Sequence, residues 1–234
     1  MVASVSMKPI TLVGVDTGGT FTDIVVVEAS ADGLGIRHCK ILSDPTDPAE
    51  PIVAGLKQLG LEDTPIQIIH GTTVGTNAVL EGKGARVAYI TSRGFSDVLT
   101  LGRQERQQVY RLQQPVTAPP VPAELCFEVS TRITAEGSLL VQADPIELEQ
   151  LANDLQASGA ESVAINLPFS FLSPIEEQRI AEQLGDNWFL SCSSDVLPEV
   201  REYDRGMATW LNASVGPVIS GYLERLQDRL PRAG

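Results

Sequence analysis

Apolar positions fall first in short β-branched runs and later in wider helical stripes. Thr11–Val15 and Ile24–Val27 read as buried strands, and Ile36–Leu42 as a third, entered through Gly33 and Gly35. No helix-length segment separates them, so an antiparallel meander is predicted. Asp47, Pro48 and Glu50 then supply an N-cap, a first-turn proline and early acidity for a helix to about Leu59, stopped by Gly60.

Strands and helices alternate next. Ile66–His70 reads as a strand, Thr72–Glu81 as a helix ending near Gly82, Arg86–Thr91 as a strand and Phe95–Gly102 as a short helix. This alternation predicts parallel βαβ units. Gln113–Pro122 holds four of the 15 prolines and is expected to be a loop or linker. Cys126–Ile133 and Ser138–Val141 read as a hairpin turning at Glu136-Gly137. Asp144 and Pro145 open a helix that closes at Gly159. Ser162–Phe169 is expected as a strand, and Ser173-Pro174-Ile175-Glu176 as a capping box for a helix to about Leu184. Trp188–Ser191 gives a last strand. Glu199–Ala213 and Val218–Leu230 read as two helices broken by Gly216-Pro217.

Composition narrows the function classes. The chain has 234 residues, 43% hydrophobic and 20% charged, which excludes a largely disordered protein. Seventeen basic residues against 30 acidic ones leave a net charge of -13. That excludes a general nucleic-acid binder and docking on an anionic membrane. A local anion site built from backbone amides survives such a charge. The three cysteines, Cys39, Cys126 and Cys192, have no C-x-x-C spacing, so neither a disulfide framework nor a zinc site is indicated, and a cytoplasmic location is expected. Met1–Pro9 carries no apolar core of a signal peptide, and no stretch reaches the roughly 18 apolar residues of a membrane span.

Four polar segments carry candidate chemistry. Gly14-Val-Asp16-Thr17-Gly18-Gly19-Thr20-Phe21-Thr22-Asp23 lies between two strands rather than before a helix, which excludes the dinucleotide fingerprint and the G-x-x-x-x-G-K-[ST] loop. Adjacent glycines allow positive φ, so successive N–H groups can converge on phosphate oxygens, with Thr17, Thr20 and Thr22 as hydroxyl donors. Asp16 at the strand end can hold Mg²⁺ through water or orient a nucleophile. The same residues equally suit a plain Gly-Gly hairpin turn. His70-Gly71-Thr72-Thr73-Val74-Gly75-Thr76-Asn77 runs from a strand into a helix start, where an anion or an ordinary Thr cap fits. Gly102-Arg103-Gln104-Glu105-Arg106 suits a carboxylate clamp or a solvated loop. Leu197–Arg205 suits a surface salt-bridge array with Glu202 and Arg205 paired, or a hinge between lobes. His38, in mid-strand, reads as structural. With two histidines and no suitable order of partners, a hydrolase triad is not indicated.

The chain resembles the N-terminal region of the hydantoinase A / 5-oxoprolinase / acetone carboxylase family. The matching stretches are GVDTGGTFTDIVV from Gly14, HGTTVGTNAVLEGKGA from His70, GFSDVLTLGRQ from Gly94, VAINLPFSFLSPIEEQRIAE from Val163 and SSDVLPEVREYDRGMATWLNA from Ser193, in family order. The resemblance implies an α/β fold: the first lobe of an actin-like (ribonuclease H-like) ATPase, a mixed sheet with an antiparallel meander followed by βαβ units. It divides the chain into a hydantoinase/oxoprolinase N-terminal domain, 10–197, and the start of the following hydantoinase A region, 198–234. It places the first phosphate loop on Asp16–Thr20. Asp16 is then the catalytic and Mg²⁺-holding residue, and Thr17, Gly18, Gly19, Thr20, Thr22 and Asp23 meet ATP. His70, Thr72, Thr73 and Asn77 fall on the substrate side.

The chemistry implied is ATP-driven phosphorylation of the carbonyl oxygen of a cyclic amide or imide, followed by ring opening with a hydantoinase B-like subunit or a fused C-terminal half, in an oligomer. A carboxylase subunit, a small-molecule kinase of the same superfamily and a non-catalytic actin-like module are the alternatives. Family members run far longer, so the chain is expected to be an N-terminal fragment that does not turn over alone. Three departures from the family pattern mark a divergent member. Gln107 follows Arg106 where Arg-Pro is usual, Glu176 follows Pro174-Ile175 where a His is usual, and Thr131-Arg132 replaces Glu-Arg.

Overall fold

Val13, Val15, Ile24 and Val26 alternate along two strands, and all four are buried. The computed structural model describes residues 11–30, 33–105, 109, 110, 112 and 118–230. The start Met1–Pro9, the positions Arg106 and Gln107, the stretch Gln113–Thr117 and the end Pro231–Gly234 lie outside the described residues. The chain divides into two compact units, residues 1–82 with 218–234, and residues 83–217.

The first unit holds β1 (Thr11–Thr17), β2 (Phe21–Ser30), β3 (Gly33–Leu42), α1 (Glu50–Gln58), β4 (Ile66–Thr72) and α2 (Val74–Leu80). The sheet order is β3-β2-β1-β4. The predicted meander is present, β1 with β2 and β2 with β3 antiparallel, while β4 lies parallel to β1. Helix α1 packs Ile52 and Leu56 on the buried face. It comes so close that a Cβ at Gly55 would stand 2.2 Å from Ile24 Cδ1. The helix starts later than the sequence suggests. Asp47 is drawn into a turn by Asp44, whose Oδ1 accepts from the Thr46 and Asp47 amides, and its own carboxylate accepts from Arg229. Gly60 stops α1 as expected, at φ 68°.

The second unit is built on β5 (Val87–Ser92), α3 (Val98–Leu101), β6 (Cys126–Val129), β7 (Arg132–Ile133), β8 (Leu139–Val141), α4 (Pro145–Ser158), β9 (Ser162–Ile165), α5 (Ile175–Leu184), β10 (Phe189–Cys192) and α6 (Ser193–Val196). Its main sheet, β10-β9-β5-β6, is parallel throughout. Every residue of β5 and β9 is buried, as both-face coverage requires. One face packs on α4 and α5 through Leu148, Leu151, Leu155 and Ile180. The other packs on Leu99, Tyr203, Met207, Trp210 and Ala213. Strand β5 therefore opens a second sheet instead of extending the first.

Several local expectations are corrected. The predicted hairpin arm Cys126–Ile133 splits, because β6 finds a parallel partner in β5 and only Arg132–Ile133 turns back on β8. The Ser173–Glu176 capping box does not form. Glu176 is buried and takes the Ala143 amide and the Arg179 guanidinium instead. The break at Gly216-Pro217 is absent: α7 runs from Glu202 to Arg229 with Pro217 inside it. Proline removes one helix hydrogen bond and crowds the carbonyl four residues back. Packing on both sides outweighs that cost. Ala213 belongs to the core of the second unit, Tyr222 and Leu226 to that of the first. Gly216 serves close approach, since a Cβ there would meet the Phe189 ring at 2.2 Å. Among the described residues no helix is long and apolar enough to cross a membrane.

Candidate functional site

The register of the first sheet lines up four residues across its strands: Gly71 on β4, Asp16 on β1, Asp23 on β2 and Lys40 on β3. Directly opposed residues share a face, so the two carboxylates stand side by side. Lys40 Nζ holds both oxygens of Asp23 at 2.9 and 3.0 Å and lies 5.0 Å from the Phe21 ring centroid. Asp16 is exposed and has no hydrogen-bond or ion-pair partner among the described residues.

The β1–β2 turn is latched from beside it. Gly18 N–H donates to Phe21 O at 3.0 Å, and the Ser43 amide donates to Thr20 O at 2.9 Å. Ser43 Oγ donates to Gly18 O at 2.8 Å and sits 3.0 Å from Thr22 Oγ1. The amides of Gly19 and Thr20 have no partner among the described residues. Neither Gly18 nor Gly19 has positive φ, so the expected left-handed nest is not formed. Space is tight at Gly18, whereas Gly19 has room for a side-chain carbon in ordinary contact. A Cβ at Gly18 would stand 3.3 Å from Phe21 O, and one at Gly19 3.6 Å from Asn77 Nδ2.

That last contact joins the two sequence segments. The Thr73 amide and hydroxyl both donate to Thr17 O, at 3.1 and 3.3 Å, and Asn77 Nδ2 donates to Thr73 Oγ1 at 3.3 Å. Thr72 Oγ1 accepts from the Val74 amide at 3.2 Å in a local turn before α2, whose N-cap Thr73 makes no side-chain cap bond. Asp16, Gly19, Thr20, Thr72 and Thr73 are exposed, with Gly18 and Asn77 half-buried beside them.

Other predicted residues point elsewhere. The side chains of Thr17 and Thr22 are buried on the core side of the sheet, where strand alternation places them opposite to Asp16. Thr17 Oγ1 has no partner there. His70 also turns inward. Its Nδ1 lies 3.3 Å from Val15 O and its Nε2 2.5 Å from the Tyr222 hydroxyl. A carbonyl only accepts, so Nδ1 carries the proton and Nε2 accepts from Tyr222. Burial pushes the His70 pKa down, while the Val15 carbonyl and the charge of Asp16 pull it up. Ser43, Lys40 and Tyr222 escaped the sequence reading. Lys40 was findable from the register of the meander. Tyr222 was not, being 152 residues from His70.

In the second unit the two remaining polar segments meet. Arg103 Nε and Nη2 donate to one oxygen of Asp204, at 3.0 and 2.6 Å. The expected Glu202–Arg205 surface pair is replaced: Arg205 is fully buried and donates to Asn166 Oδ1, Ser193 Oγ and the carbonyls of Leu167 and Glu199. No cluster of three or more His, Cys, Asp or Glu suited to a metal occurs among the described residues.

Comparison with known proteins agrees with the resemblance. The model of the hydantoinase/oxoprolinase N-terminal region matches residues 12–187. Caprolactamase subunit alpha of Pseudomonas jessenii is 30% identical over 94% of this chain and 33% of its own length. 5-Oxoprolinase 1 of Arabidopsis thaliana is 31% identical over 92% of this chain and 20% of its own length. The crystal structure of the ATP-dependent caprolactamase from Pseudomonas jessenii superposes with a TM-score of 0.77 at 27% identity, over 95% of this chain and 34% of that one. This chain thus spans about a third or less of the length of these relatives. The fold is the mixed α/β architecture of the actin-like ATPase type, and the chain belongs to the hydantoinase/oxoprolinase N-terminal family.

Proposed function

We propose that the Asp16–Thr20 turn forms the phosphate end of an ATP site in an enzyme that hydrolyses cyclic amides. The observation that carries this reading is the exposed, unpaired Asp16 carboxylate beside the free amides of Gly19 and Thr20, on a turn fixed by Ser43 and Thr73. Free amides suit phosphate oxygens, and an unpaired carboxylate suits a hydrated Mg²⁺. Asp16 would hold that ion. Lys40 keeps Asp23 neutralised, so that a second free carboxylate does not repel phosphate. Asn77 Nδ2, against Gly19, is placed to donate to an oxygen there. ATP supplies the phosphoryl group that turns a poorly electrophilic ring carbonyl into an activated one. The chain's own part is positioning and charge neutralisation. Ring opening falls to a hydantoinase B-like subunit or fused second half, and the ring is the small substrate. The buried Thr17 and Thr22 and the half-buried His70 act by shaping this turn and the adjoining strand.

The test uses the full-length parent polypeptide with its second subunit or half. ADP release is followed with caprolactam, 5-oxoproline, hydantoins and acetone in turn, for wild type and Asp16→Asn. Ring-opened product in step with ADP, lost at least about 100-fold in the variant, a range expected for an electrostatic group in phosphoryl transfer, is the expected result. ADP release that ignores every ring substrate, or a fully active Asp16→Asn, would overturn it.

A further inference from the structure

A cleft of about 650 Å³ opens in the second unit, lined by Arg103, Phe171, Pro198, Glu199, Val200, Arg201 and Asp204. Its size is that of a small-molecule site. Three segments build it, at Arg103, at Phe171 and over 198–204, and the first and last are joined by the Arg103–Asp204 pair. That pair cancels its own charge and leaves two groups over. Arg201 is 78% exposed and reaches Asp204 only at 3.9 Å, so its fork is nearly unengaged. Glu199 is exposed, and its side chain makes no ion pair among the described residues. One cation and one anion, two residues apart, therefore face the same space. Phe171, Pro198 and Val200 give it an apolar wall.

The backbone around the cleft is held in uncommon conformations. Gln104 (φ 56°), Phe169 (φ 61°) and Arg201 (φ 83°) are the non-glycine residues with positive φ among the described residues. Arg201 lines the cleft, Gln104 follows Arg103, and Phe169 lies two residues before Phe171. Such strain is kept only where the surroundings enforce it, and it gathers at binding sites. Here the surroundings are rigid. The buried Arg205 donates to the Glu199 carbonyl at 2.8 Å and lies 5.5 Å from the Phe171 ring centroid. The Glu199 backbone and the Phe171 ring are thus held in place, while the side chains of Arg201 and Glu199 stay free to meet a ligand.

We propose that this cleft binds a small zwitterionic amino acid, its carboxylate on Arg201, its ammonium on Glu199 and its apolar part against Phe171, Pro198 and Val200. A planar carboxylate matches the guanidinium fork. The charged lining is balanced, Arg103 and Arg201 against Glu199 and Asp204, which suits a net-neutral zwitterion better than a polyanionic nucleotide phosphate. The inference is independent of the nucleotide reading of Asp16.

The test is a nuclear magnetic resonance titration of the whole chain with L-leucine, 4-methylpentanoate and isopentylamine, following Phe171 and Val200. Leucine should shift both resonances at lower concentration than either single-charge analogue. Arg201→Gln should weaken leucine at least tenfold. Glu199→Gln should weaken leucine while leaving 4-methylpentanoate unchanged or tighter, a split that general loosening would not give. Both variants are to be used with the wild-type melting temperature as the folding check, and Arg201→Lys stands in if Arg201→Gln melts early. No leucine-dependent shift in the folded chain, equal binding of the three compounds, or leucine binding indifferent to both variants would each overturn the proposal.

Discussion

Ser193 stands between Glu177 and Arg205, two charged residues that are both fully buried: its Oγ donates to Glu177 Oε1 at 2.6 Å and accepts from Arg205 Nε at 3.0 Å. The hydroxyl proton is committed to Glu177, so the 3.0 Å contact between Ser170 Oγ and Ser193 Oγ has Ser170 as donor. Glu177 takes two further amides, Leu167 at 2.8 Å and Ser194 at 2.8 Å. Asn166 Nδ2 donates to Tyr89 Oη at 2.7 Å. Burial lifts the Tyr89 pKa to about 12, so the phenol stays neutral and can accept this bond. A buried charge is tolerated only with such complete satisfaction.

Arg205→Met should therefore destabilise the chain by about 3–5 kcal/mol, because Glu177 is left as an uncompensated buried charge. Ser193→Ala removes only the bridge and should cost about 1–3 kcal/mol. Urea denaturation followed by circular dichroism checks both. Equal, small losses would mean that Glu177 and Arg205 are not coupled through Ser193.

Gly216→Ala should destabilise by about 1–3 kcal/mol through overpacking on Phe189, where the added carbon would stand 2.2 Å from the ring. Trimming that ring in Gly216→Ala/Phe189→Leu should recover part of the loss. Additive losses in the double variant would show that Gly216 matters for another reason.

The imidazole of His70 has its pKa lowered, chiefly by burial. A group depressed in the folded state binds more protons when unfolded, so stability rises with pH across the gap. The contribution is complete above the ordinary value of about 6.5 and is lost as pH falls through the folded value. Protonation also turns Nε2 from acceptor to donor against Tyr222. The wild type should lose more melting temperature between pH 7.5 and pH 5 than His70→Gln does. Parallel pH profiles would refute this.

Thiol labelling should follow burial. Burial pushes Cys192 up to about 12 and raises Cys39 and Cys126 as well. Cys39 and Cys192 are buried, whereas Cys126 is half-buried. In the native chain near pH 8, Cys126 should react first and slowly, and all three should react at once in urea. Fast native labelling of Cys192 would contradict the packing of β10.

Much of this was readable from the residues. The meander followed from alternation at Val13, Val15, Ile24 and Val26, and Asp144, Pro145 and Gly159 bounded α4 as expected, with Asp144 Oδ1 taking the Ile146 amide at 2.8 Å. The pairing of the Asp16 and His70 segments was not readable, because it depends on which strand neighbours β1. Local rules failed where tertiary packing set the outcome. Glu176 is claimed by Arg179 and Ala143, and there burial pushes its carboxyl up but their hydrogen bonds and charge together bring it lower than usual. Arg205 is drawn inward by carbonyls that no spacing reveals, and Pro217 is carried by a helix held at both ends.

The continuity of α7 bears on how the chain can be divided. The helix supplies Arg205 and Ala213 to one apolar interior and Tyr222 and Leu226 to the other. A cut before Glu202 would strip a wall from both at once, baring Val15 and Leu56 of the first unit and Tyr89 and Leu99 of the second in the same N-terminal piece. Recombinant pieces ending there should be aggregation-prone, whereas a protease would find no loop tip to nick along the helix.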